Sequence, residues 1–363
     1  MQNWRKMTTT WQTTNSHRTR AGYNDGIHGD TFTTQEQRSR LGSLVQLLST
    51  SAFFLAISSQ NVAHAAIMCF LRYLIAYNHS IPYESDINDL ILCGFVIFMA
   101  LSGKHKSIRT YLSMGPRILI ENMGIPYKKP SQRPRLYRIL KSIDRIWGKA
   151  VTRKAPITIE HLQKLSKLVT PESSQLRKTI WAAIVTAFFS LVRKSPYCAP
   201  TQTTFDPVRQ FTIEDLSDSQ GRSSLKLQLT KTIQFAERDL EILLPRLDND
   251  ICPTTALANM LRDRKVTKPG TPLFTIDDKD TPLTDYVFRR EFKALLIEAK
   301  IPTDDKAPHS LRRGGTTCAL ESGCNPTCIK IQGDWASDAY LVYIWVTNTL
   351  KRQVIDTWEA KLR

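Results

Sequence analysis

The sequence lacks any hydrophobic segment long enough to cross a membrane. Its two most apolar stretches, residues 44–58 and 90–101, are shorter than the roughly 20 apolar residues that a spanning helix needs. Polar side chains at Gln46, Ser49 and Thr50 also interrupt the first stretch. Both stretches are therefore predicted to be core helices, and no signal peptide is expected at the start of the sequence.

Cysteine is scarce: the chain has seven, an odd number without the density of a disulfide scaffold, which predicts a reducing compartment. Cys324 and Cys328 lie one helical turn apart, with Cys318 nearby, but a zinc site would need a fourth ligand at short spacing. The only close histidine, His309, belongs to the motif described below. The three cysteines are therefore predicted to be small buried helix residues, and no metal site is expected.

Acidic residues are also in deficit, with 33 Asp and Glu against 50 Lys and Arg, so the net charge is +17. Residues 104–154 alone hold fourteen lysines and arginines and two acidic residues. A charge run is usually a solvated face, but clustering of one sign favours a polyanion, nucleic acid before an anionic membrane surface. The candidate DNA contacts in this segment are Lys104, Lys106, Arg109, Arg133, Arg135 and Arg138.

Composition and periodicity divide the chain into four segments. These are residues 1–40, 41–150, 151–155 and 156–363. The first is a polar, flexible tail, the second is all helical, and the third is an exposed linker. The fourth mixes helices with two strands, at 225–229 and 240–244, which predicts an α+β domain with a small antiparallel sheet.

Local signals predict where several helices begin and end. Ser85 and Asp86 can cap one helix of the second segment, and Thr158 can cap the first helix after the linker. A long apolar helix over residues 175–192 would end at Arg193. Further helices are predicted over 254–264, 284–299, 312–322 and 349–363.

Six residues of the second half share one chemical logic, since they supply cations, proton carriers and a tyrosine hydroxyl. They are Arg193, Lys231, His309, Arg312, Trp335 and Tyr343. His309 and Arg312 lie three residues apart, so at a helix start they share one face. The order of the six resembles that of the tyrosine recombinases, the phage-integrase family. The similarity is greatest to recombinases of eukaryotic mobile elements of the DIRS, Ngaro and Crypton kinds, and it is concentrated in the run HSLRRGGTTCALESGCNPTCIKIQGDWASDAYLVYI, residues 309–344.

The resemblance implies both a fold and an activity. The fold would be a helical, SAM-like core-binding domain followed by a mixed α+β catalytic domain of the DNA breaking-rejoining type. The activity would be site-specific cleavage and rejoining of DNA through a 3′-phosphotyrosine intermediate, with no cofactor. The partners would be duplex DNA, held in a C-shaped clamp, and further copies of the chain in a tetramer, in the nucleus. The final helix would pack on a neighbouring subunit or on its own domain.

The resemblance also implies roles for the cations. Negative charge grows on the phosphate oxygens during transfer, and preorganised cations stabilise it. Arg193 and Arg312 would grip the scissile phosphate, Arg313 would be a second phosphate contact, and His309 would assist proton movement and hold a phosphate oxygen. Arg193 could instead be a cation that the dipole of a helix end favours. His309 and Arg312 could instead be a pair of surface residues.

The remaining three roles each have an alternative. Lys231 would protonate the departing 5′ oxygen as general acid, with Lys226 as the substitute candidate. Trp335 would donate one hydrogen bond from its indole, or be a core residue only. Tyr343 would be the nucleophile, and Tyr340 in the same short segment is its competitor.

One position departs from the family pattern. The family usually has an acidic residue three positions after the first arginine, where this sequence has Pro196. The departure keeps open a decayed or domesticated copy that binds DNA without efficient cleavage. A type IB topoisomerase and a nuclear interaction protein without a DNA role are further alternatives.

Overall fold

The structure, a computed structural model, describes residues 57–77, 79, 88–122, 126–148, 153–219, 222–230, 233, 240–262, 264 and 268–362. The predicted tail over residues 1–40, most of the apolar stretch over 44–58 and Lys231 lie outside these ranges. The chain divides into two units between Ala150 and Val151.

Helices are the regular elements of the N-terminal unit within its described residues. Its helices are α1 (Ile57–Ala76), α2 (Asp89–Leu101), α3 (Ile108–Met114), α4 (Pro116–Asn122) and α5 (Pro134–Trp147). Before α2, the side-chain oxygen of Asn88 accepts hydrogen bonds from the backbone N–H groups of Leu90 and Ile91 at 2.9 and 3.1 Å. The predicted cap at Ser85 or Asp86 is therefore wrong, because Asn88 is the residue that satisfies the unpaired N–H groups of the helix start.

Apolar side chains from all five of these helices form the core of this unit. Phe70 of α1 meets Phe95 of α2 edge to face, with ring centroids 4.9 Å apart, and both rings are buried. Met99 of α2 and Leu140 of α5 are buried in the same cluster. The predicted core helix over residues 90–101 is confirmed. Within the described ranges, no helix is long and apolar enough to cross a membrane.

The C-terminal unit combines helices with one small sheet. Its helices are α6 (Ile159–Ser166), α7 (Gln175–Phe189), α8 (Pro253–Leu261), α9 (Asp285–Glu298), α10 (Pro308–Glu321), α11 (Pro326–Gln332) and α12 (Asn348–Leu362). Strands β1 (Leu216–Ser219), β2 (Arg222–Leu227) and β3 (Leu240–Leu243) pair antiparallel in chain order. The predicted α+β class and both predicted strands are confirmed. Strand β1, with the sequence LSDS, was not predicted because it carries one apolar residue.

Both ends of the C-terminal unit are joined to its body. Thr158 caps α6 as predicted, accepting from the N–H of His161 at 3.3 Å. In the segment predicted to be a linker, the N–H of Ala155 donates to the carbonyl of Asp305 at 2.8 Å. The last helix, α12, lies against α10 of its own unit, where the Gln353 side chain donates to the carbonyl of Glu321 at 2.8 Å.

Two adjacent glycines bring α10 against α7. Every residue of α7 from 179 to 188 is buried. A Cβ atom on Gly315 would lie 1.9 Å from the carbonyl oxygen of Phe188, and one on Gly314 would lie 1.8 Å from that of Ile157. Only glycine permits this approach, so the pair fixes the start of α10, with the predicted histidine and arginine, beside the end of α7.

Two predictions about this unit are wrong. Helix α7 ends at Phe189 rather than at residue 192, because the backbone enters the left-handed region at Leu191, with φ of +56°. Arg193 therefore lies in an irregular segment beyond the helix. Cys324 and Cys328 are exposed rather than buried, because they follow the turn that ends α10, and Cys318 is half-buried.

Candidate active site

Helix α10 places Arg312 in the interior, where its side chain is the largest of the fully buried ones in the described part of the chain, with 2% exposure. One terminal nitrogen, Nη2, donates to the carbonyl of Gly333 at 2.7 Å. The other two nitrogens, Nε and Nη1, have no hydrogen-bond partner among the described residues. Burial, and then the charge of Arg193, lower the pKa of Arg312 well below its ordinary value. The site therefore contains a buried cation with two unmet donors.

Two aromatic rings cover this cation. The guanidinium carbon of Arg312 lies 3.8 Å from the ring centroid of Trp335 and 5.0 Å from that of Tyr343. Both distances are within the range of cation–π attraction. Trp335 is buried, and its indole nitrogen has no hydrogen-bond partner in the described part of the chain. The ring thus packs on the arginine and offers a further unused donor, which combines the two roles considered for it.

Tyr343 follows a 3₁₀ helix, Asp338–Val342, and its ring is partly buried. Its ring centroid lies 5.4 Å from that of Trp335 and 6.4 Å from that of His309. Tyr340 packs on Trp335 at 6.2 Å, but among the described residues it has no ring contact with His309 or Arg312. The geometry therefore favours Tyr343 over its competitor as the tyrosine of the site.

His309 lies one turn before Arg312 on α10 and reaches solvent. Partial burial lowers its pKa, and the charges of Arg312, Lys194, Arg289 and others lower it further. Lys194 and Arg289 are themselves bonded to one carboxylate, that of Asp285 on α9. Since the ordinary pKa of histidine is near 6.5, the lowered pKa makes the ring neutral at pH 7, so that it can accept a proton.

Arg193 faces an acidic residue that sequence analysis did not assign. Its Nη1 atom lies 3.8 Å from a carboxylate oxygen of Asp334, and the arginine side chain is 25% exposed. Asp334 is buried and accepts a hydrogen bond from the hydroxyl of Thr230 at 2.6 Å. The one available signal was its position, directly before Trp335 in the GlyAspTrp run.

The other predicted residues of this unit have different surroundings. Arg313 donates to the backbone carbonyls of Lys154 and Val342, so its side chain braces the segment before Tyr343. Lys226 is exposed on β2. Lys231, the predicted general acid, lies outside the described residues.

Five of the six candidate DNA contacts of the N-terminal unit lie on its surface. Lys104, Lys106, Arg135 and Arg138 are exposed. Arg109 is also exposed and pairs with Asp144 at 2.6 Å. Arg133 differs, because its side chain is nearly buried and is bonded to Asp89 and to the carbonyl of Lys128. That arginine is used in the fold of its own unit.

Comparison with known proteins gives matches in structure only. No protein-family model matches the sequence, and no curated protein matches it. The XerH site-specific recombinase, in a post-cleavage complex with its palindromic difH substrate, is 13% identical, with a TM-score of 0.57 over 87% of this chain and 95% of that one. A fragment of the Tn1549 transposon integrase, in complex with transposon right end DNA, has the same identity and TM-score over 87% and 99%.

A lambda integrase tetramer bound to a Holliday junction is 16% identical, with a TM-score of 0.52 over 95% of this chain and 90% of that one. At such identities the likeness concerns the fold. It extends over most of both units. The chain therefore has the fold of the tyrosine recombinases and integrases.

Proposed function

We propose that this protein is a tyrosine recombinase that cuts and rejoins duplex DNA with Tyr343 as its nucleophile. One observation carries the proposal: the buried guanidinium of Arg312, two of whose nitrogens have no partner among the described residues, lies beside the ring of Tyr343. A buried cation with unmet donors calls for an anion, and the oxygens of a phosphodiester match the fork of a guanidinium. A tyrosine at that place is positioned to attack such a phosphate.

The reaction balances without an outside reagent. The hydroxyl oxygen of Tyr343 forms a bond to phosphorus, and the bond from phosphorus to the 5′ oxygen of the next nucleotide breaks. The phenolic proton passes to a base, and the departing 5′ oxygen takes a proton from an acid. The strand stays attached through its 3′ phosphate, so a second 5′ hydroxyl can displace the tyrosine and reseal it.

The surrounding side chains suit the charge changes of this step. Negative charge on the phosphate oxygens would meet Arg312 from the interior and Arg193 from the more open side. The neutral ring of His309 can take the phenolic proton or donate to a phosphate oxygen. The indole N–H of Trp335, which has no partner in the described part of the chain, can supply one more hydrogen bond.

Lys231 remains our proposal for the general acid, on its place in the sequence motif. Lys226 is the alternative, and its exposed position on β2 leaves it free to move toward a bound strand. A lysine ammonium can protonate the 5′ oxygen and leave as a neutral amine. Neither lysine is needed for the phenolic proton.

The exposed cations of the N-terminal unit would bind the DNA backbone. Lys104, Lys106, Arg135 and Arg138 carry charge at the surface, and Arg109 does so beside Asp144. Such interactions give affinity without sequence preference and weaken with salt. We further propose that the protein is a recombinase of a mobile element, that it works in the nucleus and that it acts on duplex DNA as a tetramer. The lambda integrase tetramer supports the tetrameric state by analogy.

A covalent-trapping experiment tests this function. The purified chain is incubated with a pool of nicked duplexes of randomised sequence, in which the short fragment released by cleavage diffuses away and prevents resealing. We expect an adduct that survives denaturation and disappears after nuclease digestion. Tyr343→Phe should abolish it, whereas Tyr340→Phe should retain it. An adduct that persists in Tyr343→Phe would overturn the assignment.

A further inference from the structure

We infer that Asp334 is the positioning residue for Arg193, and that the turn Gly333–Asp334–Trp335 aligns both arginines of the site. The inference rests on the proposed function, because it concerns the charge of the phosphate that is cut. It adds a residue for which sequence analysis gave no role.

The carboxylate of Asp334 attracts Arg193 without using up its donors. The closest approach, 3.8 Å between Nη1 and Oδ2, is an ion-pair distance and too long for a hydrogen bond. The same carboxylate oxygen, Oδ2, accepts a hydrogen bond from the hydroxyl of Thr230 at 2.6 Å, which anchors Asp334. Asp334 can therefore orient the Arg193 side chain while the N–H groups of Arg193 remain available to phosphate oxygens.

The same turn holds the second arginine. The carbonyl of Gly333 accepts the hydrogen bond from Arg312, and the ring of Trp335 packs on its guanidinium. A Cβ atom on Gly333 would lie 1.7 Å from the Trp335 ring, so the glycine is what allows the ring to fold back beside it. Three consecutive residues thus contact both cations, one through a carbonyl, one through a carboxylate and one through a ring.

The backbone at Asp334 shows that its side chain is kept at some cost. Its φ of +52° lies in the left-handed region, which glycine adopts most easily and which aspartate tolerates. Burying this carboxylate to 5% exposure is unfavourable unless its contacts compensate for the lost hydration. The charge of Asp334 also opposes the lowering effect of Arg193 on the pKa of Arg312. The acid thus reduces the repulsion between two cations that share one site.

The local segment of Arg193 offers no acid of its own. Three residues further on is Pro196, which is buried and whose carbonyl accepts from the N–H of Phe211 at 2.7 Å. The carboxylate that faces Arg193 comes instead from a residue 141 positions away in the sequence. Pro196 is therefore compatible with an oriented arginine and is not by itself a sign of a decayed site.

The test compares carboxylate variants on chemically altered DNA. Asp334→Asn removes the charge at nearly constant shape, and Asp334→Gly removes the side chain while suiting the left-handed backbone, so it guards against a folding defect. Asp338→Asn is the matched control, because Asp338 lies four residues on, is highly exposed and pairs with Lys330 on the surface. We expect adduct formation to slow by about 10- to 100-fold in both Asp334 variants and by less than about twofold in the control.

Two altered scissile phosphates separate positioning of Arg193 from other roles. A methylphosphonate lacks one charged oxygen, so misplacing a cation slows its cleavage less. We therefore expect the Asp334 variants to slow adduct formation on this substrate by only about 2- to 5-fold. A 5′ bridging sulfur leaves without protonation, and we expect it to leave the defects unchanged. Rescue by sulfur alone would mean that Asp334 acts on the leaving group through Thr230, and would overturn the inference.

Equal defects on all three substrates would mark a merely structural role and would also overturn it, as would wild-type rates in both variants. These outcomes differ from a failure of the proposed function. In that case the wild-type protein itself forms no adduct on any of the substrates, and the inference falls with the cleavage activity on which it rests.

Discussion

The exposed arginines that are candidates for DNA binding in the N-terminal unit and the arginines of the candidate active site in the C-terminal unit have opposite surroundings. Arg109 is typical of the first group, since its side chain is 57% exposed and lies 2.6 Å from Asp144. Arg312 is typical of the second, since it is buried under two rings and has two nitrogens without a partner among the described residues. The charge of the first group is therefore solvated, whereas the charge of Arg312 is shielded from water and only partly paired.

The difference assigns different tasks to the two units. A solvated cation attracts DNA at a distance, contributes to affinity and loses its effect in salt. A desolvated, preorganised cation contributes little to encounter but strongly stabilises charge that develops at one atom, because no water has to reorganise. We therefore expect the first unit to govern binding and the second to govern the rate of strand cleavage.

The largest effect should come from Arg312→Met, which keeps an apolar stem under the rings and removes the charge. We expect adduct formation to fall by at least about 100-fold. The thermal midpoint should not fall, because replacing a poorly paired buried charge with an apolar side chain is often neutral or stabilising. Arg290→Met, at an exposed arginine of the same unit, is the control and should change neither quantity. A large loss of stability in Arg312→Met would instead make that arginine a structural residue.

The next largest effect concerns DNA binding by the exposed cations of the N-terminal unit. Replacing Lys104, Lys106 and Arg138 together with glutamine should weaken DNA binding, and should lower the slope of log affinity against log salt by about 0.9 for each phosphate that the variant no longer neutralises. The rate of adduct formation at saturating DNA should not change. Arg133→Gln should behave differently, lowering the thermal midpoint rather than the salt slope, because Arg133 is nearly buried against Asp89. An unchanged salt slope in the triple variant would break the proposed division.

A smaller effect is expected from Arg313→Gln. The guanidinium of Arg313 donates to the carbonyls of Lys154 and Val342, which leaves fewer donors for a phosphate than the sequence analysis assumed. Loosening the segment before Tyr343 should slow adduct formation by about tenfold, while the salt slope of DNA binding stays at the wild-type value. A reduced slope would restore the phosphate-binding role predicted for Arg313.

The smallest effect concerns stability and pH. The pKa of His309 is lowered in the folded protein, so the unfolded chain takes up a proton first as the pH falls through about 6.5. Wild-type stability should therefore decline below that pH, and the penalty is complete once the pH is below the folded pKa. His309→Gln should flatten this decline, measured as thermal midpoints at a series of pH values. A decline of equal size in the variant would show that other groups cause it.

Much of the site could be predicted from the sequence, because its parts lie in two short runs. His309 and Arg312 share a helix turn, Trp335 and Tyr343 are eight residues apart, and the resemblance of this run to the tyrosine recombinases pointed to all four. Asp334 was missed because its contact with Arg193 joins distant segments and depends on a left-handed turn.

The fold was predictable to a similar degree. Apolar periodicity identified the helices and two strands, but the end of α7 was misplaced. The apolar pattern of the helix continues through Leu191 and so predicts a longer helix. The backbone at Leu191 instead takes a left-handed conformation that is rare for such a side chain. Strand β1 was missed because it is mostly polar and is held by its partner β2 rather than by an apolar pattern of its own.

The central claim is that the buried cations of the C-terminal unit surround a phosphate that Tyr343 attacks. It is tested most directly by locating the bond in the trapped adduct. After nuclease trimming and proteolysis, fragmentation mass spectrometry of the peptide that holds both Tyr340 and Tyr343 should place a 3′-linked nucleotide on the oxygen of Tyr343. A nucleotide on Tyr340, on another residue or linked through its 5′ phosphate would contradict the account.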